Sequence, residues 1–271
     1  MISANRSKPA AVVICAAMLI LFAILSYSAV LKKSATYDEP LHTVGGFTQR
    51  VLGDFRLDAD NPALFGYWAS LPLRRDAMKL DLQSSYWKNT PLNAKANHWQ
   101  FAVDTLYHTP GNDADSIINK SRFMFLIIGV ALGIVIALWS WQLGGAVVAI
   151  IAAGLYSLDP NFIGHASLVK NDVVLTFLFT GAAFATWRFG RKGSWPALAA
   201  MALSCAAALN VKFSGVILPP IVALLLLGRA MLPLPWTVMR FHLTTRPKRV
   251  IAAAIVSAAL AATGYLSIWA C

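Results

Sequence analysis

The sequence predicts an all-α integral membrane protein with about seven transmembrane helices and a large outer first loop that carries interfacial helices. Of its 271 residues, 58% are hydrophobic and only 13% are charged, whereas a soluble domain is about 45–50% apolar and about 25% charged. The mean hydropathy is +0.60. Apolar stretches that reach, or nearly reach, the length needed to cross a bilayer recur along the chain. Together these observations predict a chain that is surrounded by membrane lipids.

Seven stretches qualify, or nearly qualify, as spans. The first follows Arg6 and Lys8, is about twice as long as the apolar part of a signal peptide and precedes Lys32-Lys33, so we interpret it as an uncleaved span. The third and fifth are short, and only 210–212 separates the fifth from the sixth, which indicates a tight or partly re-entrant turn. The predicted spans are 10–31, 123–141, 145–159, 172–188, 196–211, 213–228 and 250–270.

The basic residues of the short loops predict the orientation, because Lys and Arg are enriched in cytoplasmic loops. If the first span begins on the cytoplasmic side, Lys170 and Lys212 are the only basic residues in short outer loops. The N-terminus is then cytoplasmic, and 32–122 lies outside the cell (inner) membrane. The residues predicted to be cytoplasmic are Arg6, Lys8, Arg188, Arg191, Lys192, Arg229, Arg240, Arg246, Lys248 and Arg249.

The outer segment is about 90 residues long, which is too long for a plain connector. Within it, 41–52 has apolar residues at helical spacing, as expected of a helix lying in the membrane interface. A second such element is predicted at 62–73 and a third at 97–107. We treat 1–271 as a single transmembrane module with juxtamembrane helices in 32–122.

Composition also argues against other classes of protein. The net charge is +11, but the basic residues flank apolar segments instead of lining one polar face, so we expect no nucleic-acid binding. Cys15, Cys205 and Cys271 are odd in number and lie within or at the end of apolar stretches, which predicts no disulfide and no metal site of Cys/His spacing. We predict no cofactor from these residues.

The chain has only 12 Asp and Glu residues, and two short runs place carboxylates at outer span boundaries. These are Asp38 and Glu39 in 36–42, and Asp172 in 168–173. An ionisable group at such a boundary is either solvated or works in a cavity. Asp38 and Glu39 also suit a helix N-cap and first turn, with Pro40 at an early helical position, and Asp172 suits an N-cap. Both interpretations stay open.

Several short motifs follow one another along the chain: 37–42, Gly45-Gly46, 53–57, 60–64, 111–115, Arg122, 158–165, 168–172 and 212–215. In this order and on this topology, they resemble bacterial polyprenyl-phosphate-dependent glycosyltransferases. That family is the protein O-mannosyltransferase-like branch, glycosyltransferase family 39 type, of the GT-C membrane superfamily. One departure is 61–63, Asn-Pro-Ala, where the family usually has His-Pro-Pro.

The resemblance implies an enzyme that takes a sugar from a polyprenyl-phosphate lipid and moves it, with inversion, to an acceptor on the outer face. The acceptor classes are a protein, lipid A or a glycan. A hydroxyl acceptor benefits from a carboxylate general base, and Asp38 matches the family's acid at that place. Glu39 would orient the loop or the acceptor, and Asp172 matches the second acid of the pattern.

Further site residues are expected around these acids. A cation should stabilise the leaving phosphate. Lys212 is the first candidate, although it also suits snorkelling to headgroups. Weaker candidates are Arg56, Arg122, Lys170, Arg74 and Arg75, and the last two more readily suit lipid headgroups. His42, His165 and Asn61 are candidate donor or acceptor contacts. Some GT-C relatives use a divalent ion, so a metal stays open.

Two other functions remain as alternatives. One is a non-catalytic membrane scaffold, or a half-protein that needs a separate C-terminal part. Family members typically continue beyond this length, so the resemblance predicts that this chain corresponds to their N-terminal portion. The other alternative is a transporter or flippase for lipid-linked sugars, which is disfavoured because the sequence has no internal repeat.

Overall fold

The computed structural model describes residues 7–89 and 95–270, and it confirms an all-α membrane class. By clustering of its contacts, the chain divides into two compact units, Met1–Val174 and Leu175–Cys271. Arg6 and Cys271 lie outside the described residues. The elements are α1 (Ser7–Leu31), α2 (Glu39–Leu52), α3 (Ala63–Ser70), α4 (Ser85–Lys88), α5 (Lys95–Val103), α6 (Ala114–Leu158), α7 (Pro160–His165), α8 (Asn171–Arg191), α9 (Trp195–Leu209), α10 (Leu218–Met231), β1 (Trp236–Val238), β2 (Phe241–Leu243) and α11 (Arg246–Ala270).

Helix α6 is a hairpin of two arms. As one straight helix its 45 residues would extend about 68 Å, more than twice the bilayer core of about 30 Å. Gly145 breaks it, with φ 79° and ψ −164°, a conformation open essentially only to glycine. The Tyr156 hydroxyl then donates to the carbonyl of Gly129 at 2.6 Å, although the two residues are 27 positions apart. The predicted spans 123–141 and 145–159 are the two arms.

By length and composition, five helices in the described part of the chain are able to cross a membrane, where the sequence predicts about seven spans. The two numbers differ for two reasons. Helix α6 is counted once but holds two predicted spans, and α9 has only 15 residues. All seven predicted stretches are mainly helical.

Small residues let α1 pack closely against both arms of α6. A side chain at Gly133 would collide with Leu19 of α1 and with Tyr156 of the second arm. Cys15 of α1 is buried together with Ala149 and Ala153. Close approach through small residues is a usual way for membrane helices to associate. In the first unit, α1 and the two arms of α6 therefore pack together as three neighbouring helices.

The segment between α1 and α6, which the sequence predicts to lie outside, is folded. Helices α2, α3 and α5 occupy the three places predicted for interfacial helices, and a π-helical turn, Asp104–His108, follows α5. Helices α2, α4 and α5, the π-helical turn and the loops around them share an apolar core. Its buried members are Val44, Phe47, Leu57, Leu73, Met78, Trp87, Phe101, Ala102, Leu106, Ile117 and Ile118. Because this core also includes residues of α6, the segment is anchored to the membrane part of the unit.

The second unit contains most of α8 together with α9, α10, α11 and a short β-hairpin. Only 210–212, where the sequence predicts a tight turn, separates α9 from a 3-10 turn, Phe213–Ile217. A side chain at Gly215 would collide with the carbonyl of Ala208, so the chain reverses there only because residue 215 is glycine. The sequence analysis did not predict the hairpin, in which Trp236 pairs with Leu243.

Candidate functional site

The first unit has a pocket of about 240 Å³ at its outer segment. It lies where the start of α2, the loop before α3 and the start of α5 meet. Charged, aromatic and imidazole side chains line it. The lining residues are Tyr37, Asp38, Leu41, His42, Leu57, Asp58, Ala59, Asp60, Asn61, Lys95, His98 and Trp99. Three of the predicted site residues, Asp38, His42 and Asn61, therefore come together in one cavity.

Asp38 presents its carboxylate to this pocket. It stands at the N-cap of α2 with helical φ and ψ of −86° and −23°, and its side chain makes no capping hydrogen bond. The side chain is 46% exposed, and Lys170 Nζ lies 3.3 Å from Asp38 Oδ2. Asp38 therefore occupies the N-cap position, but its carboxylate does not cap the helix. The carboxylate is accessible and has a cation beside it.

Glu39, the neighbouring acid, is completely buried. Four donors converge on its two oxygens. Arg122 donates from Nε at 2.9 Å and from Nη2 at 2.7 Å, and the backbone N–H groups of Thr36 and Val169 donate at 2.8 and 3.0 Å. Burial opposes ionisation, but these hydrogen bonds and the charge of Arg122 outweigh it and hold the pKa of Glu39 below its ordinary value.

Arg122 is equally buried, with 1% of its surface exposed. Besides Glu39, its guanidinium donates to the carbonyls of Val30, Lys33 and Ser34 at 2.7, 3.0 and 3.1 Å. Arginine has five N–H donors, and all of them have acceptors here. This corrects the expectation that Arg122 binds the donor phosphate, because no donor is left for a phosphate. The residue instead joins α6 to the start of α2.

A second network lies at the floor of the pocket. Asp58, which is 3% exposed, accepts from His42 Nδ1 at 2.8 Å and from Asn61 Nδ2 at 2.8 Å. Asn171, at the start of α8, donates from Nδ2 to Asn61 Oδ1 at 2.8 Å. An ionised carboxylate only accepts hydrogen bonds, so Nδ1 is the ring nitrogen of His42 that carries the proton in this contact.

The sequence analysis missed Asp58. A side chain at Gly45 would collide with the Asp58 side chain, so the glycine lets the loop come close to α2. The only signal in the sequence was the Gly45-Gly46 pair inside a predicted helix, since such pairs often mark close approach of another segment.

An aromatic pair stands at the mouth of the pocket. Tyr37 and Trp99 stack with ring centroids 5.1 Å apart and planes tilted by 17°. Trp99 Nε1 also donates to the Tyr37 carbonyl at 3.0 Å. Tyr37 is 72% exposed, so one face of a flat apolar ring is open beside the Asp38 carboxylate. Such a face matches the C–H side of a pyranose ring, and aromatic walls with few polar groups are usual in small-molecule sites.

Arg56 has a partner of its own outside the pocket lining. It binds both oxygens of Asp54, with Nη2 at 2.7 Å from Oδ2, and its guanidinium lies 4.8 Å from the centre of the Trp87 ring. The hydrogen bond from Arg56 lowers the pKa of Asp54. The structure therefore places Arg56 in a local ion pair and gives no support to a phosphate-binding role.

The remaining predicted residues are not part of this pocket. Asp172 lies exposed in the first turn of α8, and His165 is the exposed last residue of α7. Lys212 belongs to the second unit, at the start of the 3-10 turn. Their predicted roles stay predictions.

Among residues 7–89 and 95–270, no three His, Cys, Asp or Glu side chains are grouped so as to hold a metal ion. The pocket offers two accessible carboxylates, Asp38 and Asp60, each with a lysine ammonium group beside it. It also offers a buried carboxylate–imidazole pair and an aromatic platform.

The helices long and apolar enough to cross a membrane define a multi-pass membrane protein. Residues 115–245 match the family model of dolichyl-phosphate-mannose-protein mannosyltransferase. No match was found among curated proteins or among solved structures. The family match confirms the resemblance to GT-C mannosyltransferase-like membrane enzymes, and it indicates a glycosyltransferase that depends on a polyprenyl-phosphate sugar. The matched segment includes Lys170, Asp172 and Lys212, whereas Asp38 lies before it.

Proposed function

We propose that this chain transfers a sugar from a polyprenyl-phosphate donor to an acceptor at the outer face of the cell membrane, with inversion and with Asp38 as the general base. The observation that carries the proposal is the accessible Asp38 carboxylate on the pocket wall, with Lys170 3.3 Å away. Protein, lipid A and glycan are the acceptor classes. The topology with a cytoplasmic N-terminus and the pocket outside belongs to this proposal.

In this reaction, an acceptor hydroxyl attacks the anomeric carbon opposite the lipid phosphate. Its proton passes to Asp38, the new glycosidic C–O bond forms, and the bond from the anomeric carbon to the phosphate oxygen breaks. A single displacement of this kind inverts the anomeric configuration. The electron pair of the broken bond leaves with the lipid phosphate, so a cation near it lowers the barrier.

Lys170 is suited to assist that step. It lies in the turn between α7 and α8, and its ammonium group already lies beside the carboxylate. We assign it a share in stabilising the phosphate. The same role for Lys212 stays a prediction from the sequence. Asp172 keeps its predicted role as the second acid of the family pattern, and His165 keeps its predicted contact to the donor or the acceptor.

The residues on either side of the Asp38–Lys170 pair hold it in place. Glu39 follows Asp38 and accepts from the N–H of Val169, which precedes Lys170. Asn171, which follows Lys170, binds Asn61 in the pocket. Two hydrogen bonds therefore fix the backbone around the pair. Glu39 is a positioning residue in this proposal, because its oxygens are fully occupied by protein donors.

The test uses the purified full chain in nanodiscs, a panel of polyprenyl-phosphate sugars and an acceptor-containing membrane extract. Release of the sugar from the lipid is followed for the wild type, Asp38→Asn and Asp60→Asn. Asp60 is the matched control, because it lines the same pocket with a 63% exposed carboxylate that pairs with Lys95. Loss of a general base costs about 10²–10⁴-fold in rate, and we expect that loss for Asp38→Asn only.

Equal rates in Asp38→Asn and wild type, with unchanged thermal unfolding, contradict the base assignment. A folded wild type that releases no sugar favours the alternative of a half-protein that needs a separate C-terminal part. The anomeric configuration of the product, measured by NMR, tests inversion independently of the residue assignments.

A further inference from the structure

The charges of this chain are segregated along the sequence. All 12 acidic residues lie between Asp38 and Asp172, whereas 175–271 contains no Asp or Glu. That second unit has nine Lys and Arg residues, all of them between Arg188 and Arg249. No carboxylate side chain of the unit is available to neutralise them. Any anionic side-chain or ligand partner of these cations therefore comes from outside the unit.

Two of these cations are used inside the protein. Arg249 is 5% exposed and donates to the carbonyls of Ala230 and Thr244 at 3.1 and 2.7 Å. Arg229 donates to the carbonyl of Gly190 at 2.6 Å. These two arginines stabilise the ends of helices through hydrogen bonds to carbonyl groups. The other basic residues of the unit are not accounted for by these contacts.

Three exposed cations surround a pair of adjoining cavities at the β-hairpin. The first cavity, about 740 Å³, is lined by Lys192 and Arg240. The second, about 430 Å³, is lined by Lys248 and otherwise almost wholly by apolar side chains. The cavities share Trp195, Met239 and Phe241. We call the pair the hairpin groove; its apolar end consists of Leu198, Val238, Leu243, Ile251, Ala252, Ile255 and Val256.

The hairpin that forms the groove is firmly held. Trp236 is fully buried and donates from Nε1 to the Phe189 carbonyl at 3.1 Å. Gly193 donates to the Thr237 carbonyl and accepts from the Met239 N–H, both at 2.8 Å. A side chain at Gly193 would collide with Val238, so the glycine permits this pairing. The groove is therefore formed before any ligand arrives, as is usual for a binding site.

We propose that the hairpin groove binds one anionic phospholipid. Its phosphate lies among Lys192, Arg240 and Lys248, and an acyl chain runs along α11. From Lys248 to Val256 the helix rises about 12 Å, most of the about 15 Å half-thickness of the hydrocarbon core. An apolar groove with a cationic entrance suits a molecule with one apolar chain and one anionic head.

The surroundings favour a membrane lipid as the occupant. Trp195 is 70% exposed and Phe241 59% exposed, and such aromatic side chains collect at the level of the headgroups. On the predicted topology, the groove faces the cytoplasmic leaflet, which is the anionic one. The groove shares no lining residue with the pocket at Asp38, and its test does not depend on sugar transfer.

The experiment is native mass spectrometry of the full chain. The protein is incubated in detergent with phosphatidylglycerol or phosphatidylcholine, and the lipid that stays bound after the detergent is removed is measured. The test variant is Lys192→Gln/Arg240→Gln/Lys248→Gln. The matched control, Arg188→Gln/Arg191→Gln/Arg246→Gln, removes the same number of exposed charges of the same unit away from the groove lining. One retained phosphatidylglycerol is expected in the wild type and the control. Each basic residue contributes about fivefold to anionic lipid affinity, so the test variant should lose up to about 100-fold.

A second variant, Ala252→Trp, fills the apolar end and keeps every charge; we expect it to reduce lipid retention without changing thermal unfolding in the absence of lipid. Equal retention of the two phospholipids by the wild type, or equal losses in the test and control variants, would overturn the proposal. Displacement of phosphatidylglycerol by an equimolar polyprenyl phosphate would also overturn it, because the groove would then be a site for the carrier lipid.

Discussion

Replacing Glu39 by Gln removes a buried negative charge while the side chain keeps its size. Oε1 accepts from Arg122 Nε and the Val169 N–H, and Oε2 accepts from Arg122 Nη2 and the Thr36 N–H. An amide has one oxygen and one NH₂ group. Whichever way the amide turns, its NH₂ group faces two donors, so two of the four hydrogen bonds are lost.

The cost follows from burial. Each buried donor left without an acceptor costs about 1–3 kcal/mol, and removing one partner of a buried ion pair costs about 3–5 kcal/mol. The second figure already includes the first, so we expect the free energy of unfolding to fall by about 3–5 kcal/mol. At about 2–4 °C per kcal/mol for a chain of this size, the unfolding midpoint falls by roughly 6–20 °C.

Thermal unfolding of the full chain in detergent, followed by tryptophan fluorescence, measures this change. The matched control is Asp54→Asn, which breaks a bidentate Arg–carboxylate pair that is open to solvent. There Arg56 and Asp54 are 39% and 21% exposed, and pairs open to solvent contribute about 0.2–1 kcal/mol. The argument from burial is refuted if the two variants shift the midpoint equally. Adding Arg122→Met to Glu39→Gln should recover part of the loss, because the buried charge is then gone.

Three further predictions concern pH and backbone geometry. The pKa of Glu39 lies below its ordinary value of 4.5, so the stability that ionised Glu39 contributes is complete above pH 4.5 and is lost as the pH falls through the folded-state pKa. In that acidic range, the difference in unfolding midpoint between the wild type and Glu39→Gln should shrink. A difference that stays constant with pH would count against the ion pair. Gly45→Ala should destabilise the chain by about 1–3 kcal/mol in the same unfolding assay, because the new methyl group meets Asp58. Gly145→Ala should cost about 1–3 kcal/mol for its φ of 79°. Gly228→Ala, in a helix with open space around it, is the control for both, and losses as small as in this control would argue against the two glycine assignments.

The membrane helices were predictable because their signal is local. A run of apolar residues has nearly the same meaning wherever it lies in the chain, and the Gly144-Gly145 pair separates the two spans that form the α6 hairpin. The short strands β1 and β2 were not predictable. They depend on a backbone pairing with Gly193 and on a buried Trp236, contacts made by residues that are far apart in the sequence.

The candidate site was predictable only in part, for the same physical reason. Asp38 and Glu39 are adjacent, and nothing local tells which one faces the pocket. That distinction comes from Arg122, 83 residues further on, which holds Glu39 in the interior. Asp58 lies in a loop without a periodic pattern, and its partners His42 and Asn61 become visible only after folding.

The Glu39–Arg122 pair also ties together two parts of the gene. The segment that matches the mannosyltransferase family begins at residue 115 and includes Arg122. The acid that neutralises Arg122 is Glu39, which lies 83 residues before Arg122 and outside the matched segment. A homologous chain that loses one of the two charges keeps a buried, uncompensated ion unless the other changes as well. We therefore expect positions 39 and 122 to vary together across related sequences, and a transplant of the matched segment alone to fail unless an acid at position 39 comes with it.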